Sequence, residues 1–349
     1  MRSKGYAMSA LLGLVLVSLV IGSGGPAISS SNEAEQGREI PICTERHDQR
    51  SPAISGDWVV WVDERNDNHD IYAYNLSTRE ERPVCTKGRY QGPPAIAGDW
   101  VVWRDNRNYD DSGPDIYGYN LATGEERAIC FKPGIQQNPA ISGDWVVWQD
   151  NRNSSPDDDF WNPDIYAYNL STGQERPICT EEHKQAVPAI SGNWVVWLDN
   201  RNGNWDIYAY NLSTGQERPI CTEEHIQGAP HVSGDWVVWV DGRNGKYDLY
   251  GYSFAAGRER AFLTLPESFR SSPAISGNWV VWAQYMNRTW NIYAYNLSSG
   301  QPRDVCTEEH KQIFPAISGD WVVWEDLRNA HIDYGTMRNL DIYARRLTE

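Results

Sequence analysis

Gly192-Asn193-Trp194-Val195-Val196-Trp197 is one of seven near-identical hexapeptides, the others opening at Gly56, Gly98, Gly143, Gly234, Gly277 and Gly319. In extended form Trp194 and Val196 point one way, and Val195 and Trp197 the other. A strand wet on one side alternates with polar residues, so this one must be covered on both faces. In the same copy Pro188-Ala-Ile-Ser191 comes before the hexapeptide, and Asp206-Ile-Tyr-Ala-Tyr-Asn-Leu212 and Arg218-Pro-Ile-Cys-Thr222 come after it. Each piece is short, rich in β-branched and aromatic residues and bounded by turn residues, which reads as four strands, A to D. A period of about 42 residues is that of a four-stranded propeller blade.

Proline orders the strands. Pro52, Pro94, Pro139, Pro188, Pro230, Pro273 and Pro315 open the A strands, Pro41, Pro83, Pro177 and Pro219 sit in D strands, and none falls in B or C. Proline lacks the ladder donor, so A and D are the sheet edges, with A facing the ring axis and D the rim. The D series begins early, at Glu39-Ile-Pro-Ile-Cys-Thr44, and the chain ends on a C strand, Asp341-Ile-Tyr-Ala-Arg-Arg-Leu347. The expected fold is therefore an all-β, seven-bladed propeller of four-stranded antiparallel blades over residues 31–349. Residues 39–44 supply the outer strand of the blade that contains 315–347, which closes the ring.

Residues 1–30 stand outside it. Arg2 and Lys4 precede an apolar run from Ala10 to Ile21 and the small residues Gly22 to Ala27, the layout of a signal peptide. This predicts an extracellular or cell-surface protein, not integral to the membrane after cleavage. A net charge of −16 repels phosphate backbones, which argues against a nucleic-acid partner. Cys43, Cys85, Cys130, Cys179, Cys221 and Cys306 all occupy one slot of the repeat, taken by Leu263 in the remaining copy. Equivalent slots in different blades lie too far apart for disulfides, so these read as buried thiols acting as small apolar residues.

The run Pro-x-Ile-Ser-Gly-Asp-Trp, Asp-x-Arg-Asn, Asp-Ile-Tyr-x-Tyr-Asn-Leu and Cys-Thr resembles TolB-type propeller repeats. It is more similar still to the Trp-Val-Val-Trp repeats of archaeal cell-surface propeller proteins, especially those of methanogens. The resemblance covers residues 39–349. It implies an envelope or surface protein built for interaction, and it supplies no catalytic residues.

A meander places the B–C loops and D–A connections on one face and the near-invariant A–B and C–D turns on the other, so a specific site is expected on the first. Six B–C loops carry Asp-x-Arg-Asn (Asp63/Arg65/Asn66 is the first), which reads as hairpin stabilisation, with Asp accepting turn hydrogen bonds and Asn tolerating the left-handed conformation. Six glutamines, Gln49, Gln91, Gln136, Gln185, Gln227 and Gln312, precede the A-strand prolines by three residues and are read as satisfying backbone groups between blades. Departures from the repeat are the candidates for recognition. The blade 3 insertion holds Asp157, Asp158, Asp159, Phe160 and Trp161, and that of blade 7 holds His331 and Tyr334. His231 replaces a strand-A alanine, and blade 6 brings Phe269, Arg270, Tyr285 and Trp290. Aromatic rings beside charges can stack a sugar or grip a cationic peptide. No metal or other cofactor is expected; calcium at Asp157–Asp159 is an alternative, and so is a metal on a pair of the repeated histidines His47, His183, His225 and His310, whose repetition favours structure.

The leading expectation is a monomeric, non-catalytic scaffold that binds a protein or glycan at the cell envelope. The alternatives are a carbohydrate-active lyase or hydrolase on a TolB-like propeller, and a structural subunit of an envelope layer.

Overall fold

The computed structural model describes residues 37–349 apart from 156–160, 246, 265–270, 287, 334–335 and 348–349. Seven four-stranded antiparallel sheets follow one another, each an A-B-C-D meander. In blade 4 these strands are Gln185–Ser191, Trp194–Asp199, Asp206–Asn211 and Gln216–Cys221. In blade 7 strand D is Glu39–Cys43, which pairs with Asp341–Arg346 and completes the order begun by Gln312–Ser318 and Trp321–Asp326. The expected closure is thus present. The blade 7 insertion, read as a loop, adds a small hairpin, His331–Asp333 with Thr336–Arg338. No helix among the described residues is long and apolar enough to cross a membrane.

The core divides into seven apolar clusters, one per seam. Val195 and Trp197 of blade 4 pack with Ile178 and Cys179 of blade 3, whereas Val196 packs with Val232 and Trp239 of blade 5. The second tryptophan of every motif is at most 1% exposed, while the first is only half-buried and lies near the turn face. At that face each A–B turn needs a glycine. Gly192 has φ +55° with nothing within 4 Å of where a Cβ would stand, so backbone conformation, not crowding, demands it. Its N–H donates to Ser142 Oγ of the preceding blade at 3.0 Å. The same link joins five other seams at 2.9–3.1 Å.

The A strands are of two kinds. In blades 1, 3, 4 and 7 they span seven residues around a bulge, where Ser51, Asn138, Val187 and Phe314 precede proline with φ of 51–53°. In blades 2, 5 and 6 the strand has only three residues, starting after the proline, with a separate single-residue bridge from Gln91 to Asp105 in blade 2 and from Gln227 to Asp241 in blade 5. Proline therefore marks a bulge in some A strands and the strand start in others.

The closing strand buries Ile42 and Cys43 against blade 1, the isoleucine alone worth roughly 1.5–3 kcal/mol. Deleting residues 39–44 is expected to lower the thermal midpoint by about 10 °C or more in a calorimetric scan. An unchanged midpoint would show that blade 7 holds without its fourth strand.

Candidate functional site

The Asp-x-Arg-Asn sets do more than stabilise hairpins. Asp199 is fully buried and accepts from the Trp197 indole N–H at 2.9 Å, from the Arg201 backbone N–H at 3.0 Å and from the Arg201 guanidinium at 2.7 and 2.9 Å. Arg201 also reaches Glu217 on strand D at 2.8 Å, stacks over Tyr208 and lies 3.1 Å from Cys179 Sγ of the preceding blade. The hydrogen bonds to Asp199 hold the Arg201 guanidinium well above its ordinary range. Five other copies repeat the Trp–Asp bond at 2.8–3.0 Å and the stack on tyrosine at 3.9–4.3 Å. The Asn does not adopt the left-handed conformation. Instead Asn202 Nδ2 donates to Asp206 Oδ2 at 2.6 Å and Tyr208 Oη at 3.2 Å, tying strand B to strand C.

All six cysteines are free and buried. They are more than apolar filler, because each meets the arginine of the next blade at 3.0–3.9 Å. Burial pushes the Cys179 and Cys221 thiols up to about 12, so they stay protonated and point a weak donor at Asp199 and Asp241, 3.9 Å away.

One seam lacks this network. Between blades 5 and 6 the cysteine becomes Leu263, the aspartate Gln284, the arginine Met286, the strand-D glutamate Pro302 and the strand-C aspartate Asn291. Gln284 Oε1 takes over as acceptor for Trp282 at 3.0 Å. Without the Asp–Arg turn the blade 6 hairpin runs on, as Trp279–Met286 paired with Thr289–Asn296, two residues longer per strand than its counterparts. Tyr285 and Trp290 are cross-strand partners there, their rings 5.8 Å apart, and Tyr285 is 45% exposed. Met286 is exposed as well, and so is Ile226 on the blade 5 D–A connection. A hollow of about 380 Å³ on this same face lies against Ile226, His225 and Tyr247.

The other candidates fall elsewhere. His231 pairs with Val238, a fully buried member of the blade 5–6 cluster, so its side chain shares that seam and does not face outward. It is half-buried, and burial lowers its imidazole to about 4, which keeps it neutral at pH 7. Trp161 is half-buried on blade 3, across the ring from Trp290, and His331 is exposed on the blade 7 hairpin. Asp157, Asp158, Asp159, Phe160, Phe269, Arg270 and Tyr334 lie outside the described residues, as does the expected leader, residues 1–30. Among the described residues no group of three or more His, Cys, Asp and Glu is arranged to hold a metal. The six glutamines are buried, and Gln185 Nε2 donates to the Glu181 and His183 carbonyls of its own D–A connection.

A single-copy charged cluster at the ring closure escaped the sequence reading. Glu325 fills a slot held by Val62, Leu198 or Val240 in other blades, and its Oε1 accepts the Ser51 N–H of blade 1 at 2.6 Å. Asp48, fully buried, accepts from the Leu340 N–H at 3.1 Å and pairs with Arg50, which also meets Glu64 at 3.2 Å. Burial raises the Glu325 carboxyl to about 7. The signal was a carboxylate beside the repeat's Asp326, at a position that is otherwise apolar, amide or arginine.

No protein-family model and no curated protein sequence matches this chain. Among solved structures it is similar to an oligogalacturonate lyase from Vibrio parahaemolyticus, with 14% identity, a TM-score of 0.66 and coverage of 89% of this chain and 94% of that one. It is also similar to the β-propeller domain of the Trilobed protease from Pyrococcus furiosus, with 14% identity, a TM-score of 0.66 and coverage of 88% and 97%. TolB from Acinetobacter baumannii aligns at 19% identity and a TM-score of 0.53 over 75% of this chain and 67% of that one. At these identities the likeness is one of fold, a TolB-like propeller.

Two measurements check these networks. Asp199→Ala leaves the Trp197 N–H unpaired in a buried seam and Arg201 with Glu217 alone, with an expected loss of about 2–3 kcal/mol in chemical denaturation. A loss below about 1 kcal/mol would show the network to be dispensable. The raised Glu325 carboxyl binds a proton more readily when folded, so its penalty is absent below the ordinary carboxylate range and grows as pH rises through about 7. Glu325→Gln should therefore stabilise the protein relative to the parent at pH 8, by on the order of 3 kcal/mol at most, and not at pH 4. A difference independent of pH would remove the charged form as its cause.

Proposed function

We propose that this chain is an exported, non-catalytic propeller that recognises a protein or glycan at the cell surface, with the blade 6 hairpin at the centre of its recognition surface. The observation that carries this reading is the Tyr285–Trp290 pair, set on a two-stranded extension beside exposed Met286, with Ile226 exposed on the same face at blade 5. Aromatic anchors with few rotatable bonds on a stiff scaffold lose little entropy on binding and serve well as hot spots. The repeated carboxylates are poor candidates for acid or base chemistry, because each is already engaged by an indole and a guanidinium. The leader-like N terminus and the acidic surface support export, and the Trp-Val-Val-Trp repeat supports kinship with archaeal surface propellers of the methanogen type.

A carbohydrate-active enzyme is the second reading, favoured by the single-copy cluster of Asp48, Glu64 and Glu325. A carboxyl near 7 is matched to proton transfer at neutral pH. Glu325 is 2% exposed, which favours a role in closing the ring.

The test is capture by the full chain and by Tyr285→Ser/Trp290→Ser on a glycan array and from an envelope extract. The double variant is expected to lose roughly 30-fold in affinity for the captured ligand while melting within a few degrees of the parent. Undiminished capture would overturn the blade 6 surface. Release of new reducing or unsaturated ends from a polysaccharide, abolished by Glu325→Gln, would replace the binding reading with the enzymatic one.

A further inference from the structure

On the turn face one seam lacks the strand-C tyrosine that the other six share, although blade 5 has a hollow of its own there, about 450 Å³ against Trp236 and Arg260. In six seams the half-buried first tryptophan packs against a tyrosine from strand C of the next blade, as Trp58 does with Tyr119, Trp145 with Tyr210 and Trp236 with Tyr295. A strand-D arginine stacks on the same tryptophan, its guanidinium carbon 4.6–5.3 Å from the ring in blades 1 to 6. Arg176 and Arg218 also lie over the next blade's tyrosine, so aromatic rings flank the cation on two sides. At the blade 6–7 seam the tyrosine position holds Arg345, followed by Arg346 in place of asparagine.

Two hollows open there and meet at Arg303. One, of about 680 Å³, is lined by Trp279 together with Asn278, Asn296, Ser299 and Gln301. The other, of about 200 Å³, is lined by Arg303, Arg345 and Arg346 together with Asp304, three guanidinium groups to one carboxylate. Arg346 is paired with Asp320 at 2.7 Å. Arg345 donates to the Val305 carbonyl at 2.6 Å, and no carboxylate among the described residues pairs with it. Two guanidinium groups thus share a hollow that in other seams holds one guanidinium and a phenol, in a chain whose net charge is −16.

From this we infer that the blade 6–7 groove is a binding site for an acidic oligosaccharide, with a sugar ring on Trp279, its hydroxyls against the amides and serine hydroxyls, and a carboxylate between Arg303 and Arg345. Guanidinium groups bind carboxylates with charge-assisted hydrogen bonds, and an aromatic face with a few convergent polar groups fits a sugar. A polyphosphate backbone is disfavoured by the acidic surface, whereas sparse carboxylates need only this local reversal of sign. The site is on the face opposite the blade 6 hairpin and does not rest on the recognition surface proposed there.

The experiment is calorimetric titration of the full chain with tetrasaccharides of galacturonate, guluronate and mannuronate, and with a neutral hexose tetrasaccharide. Arg345→Tyr restores the residue that the other six blades carry, so it should fold as well as the parent while refilling the groove. At least one uronate should bind roughly tenfold or more tighter than the neutral sugar, and Arg345→Tyr should weaken it by a similar factor with an unchanged melting point. Tyr285→Ser/Trp290→Ser should leave it unaltered. The inference is overturned if no uronate binds, if neutral and acidic sugars bind alike, or if Arg345→Tyr binds as tightly as the parent.

Discussion

A buried carboxylate that cannot be left unpaired governs this ring. Each strand-B aspartate sits where water does not reach, and an isolated charge there would cost several kcal/mol. Indole, guanidinium and backbone donors converge on it, and the same guanidinium reaches a thiol on the neighbouring blade. Tryptophan burial supplies the apolar energy of the seam, but it is not directional. The aspartate supplies the direction: it sets the indole's orientation, the turn that follows and the register against the preceding strand D.

That dependence explains why departures travel together. Once Gln284 replaces the aspartate, an arginine above it would lose its counter-charge, a cysteine below it would lose its acceptor, and a strand-D glutamate would lose its partner. Met286, Leu263 and Pro302 are the consistent answer. The neighbouring Phe262 belongs to the same rearrangement, since its ring lies 2.2 Å from where a Cβ on Gly251 would stand; every other blade has an aliphatic residue in the Phe262 place, and all but blade 2, with Gly118, have alanine in the other. A seam relieved of its polar network leaves the hairpin above it free to lengthen.

Much of this was legible in the chain. Apolarity on both faces of Trp194–Trp197 required neighbours on both sides, proline marked the outer strands, and the early Ile-Pro-Ile-Cys at residues 40–43 foretold the shared blade. Less could be read where contacts join different repeats. Cys179 and Asp199 stand 20 positions apart, and nothing local in either says that they meet. Leu263, Gln284 and Pro302 were visible as separate oddities, but only the seam shows them to be one change. Arg345 was hidden for a different reason: it lies inside a segment whose strand assignment was secure, so its exchange for tyrosine drew no notice. Uniform turns made that face look featureless, although a single altered side chain changes the charge of one of its hollows.

The shared blade also shapes how this molecule reaches its native state. Glu39–Cys43 pairs with Asp341–Arg346, so one strand waits for another made almost three hundred residues later. Every other sheet is built from strands consecutive in the chain and can form locally and early. The last seam closes only after long-range chain search, late on the pathway, with the edges of blades 1 and 7 exposed until then. Circularity leaves the assembly of the ring hostage to one slow encounter.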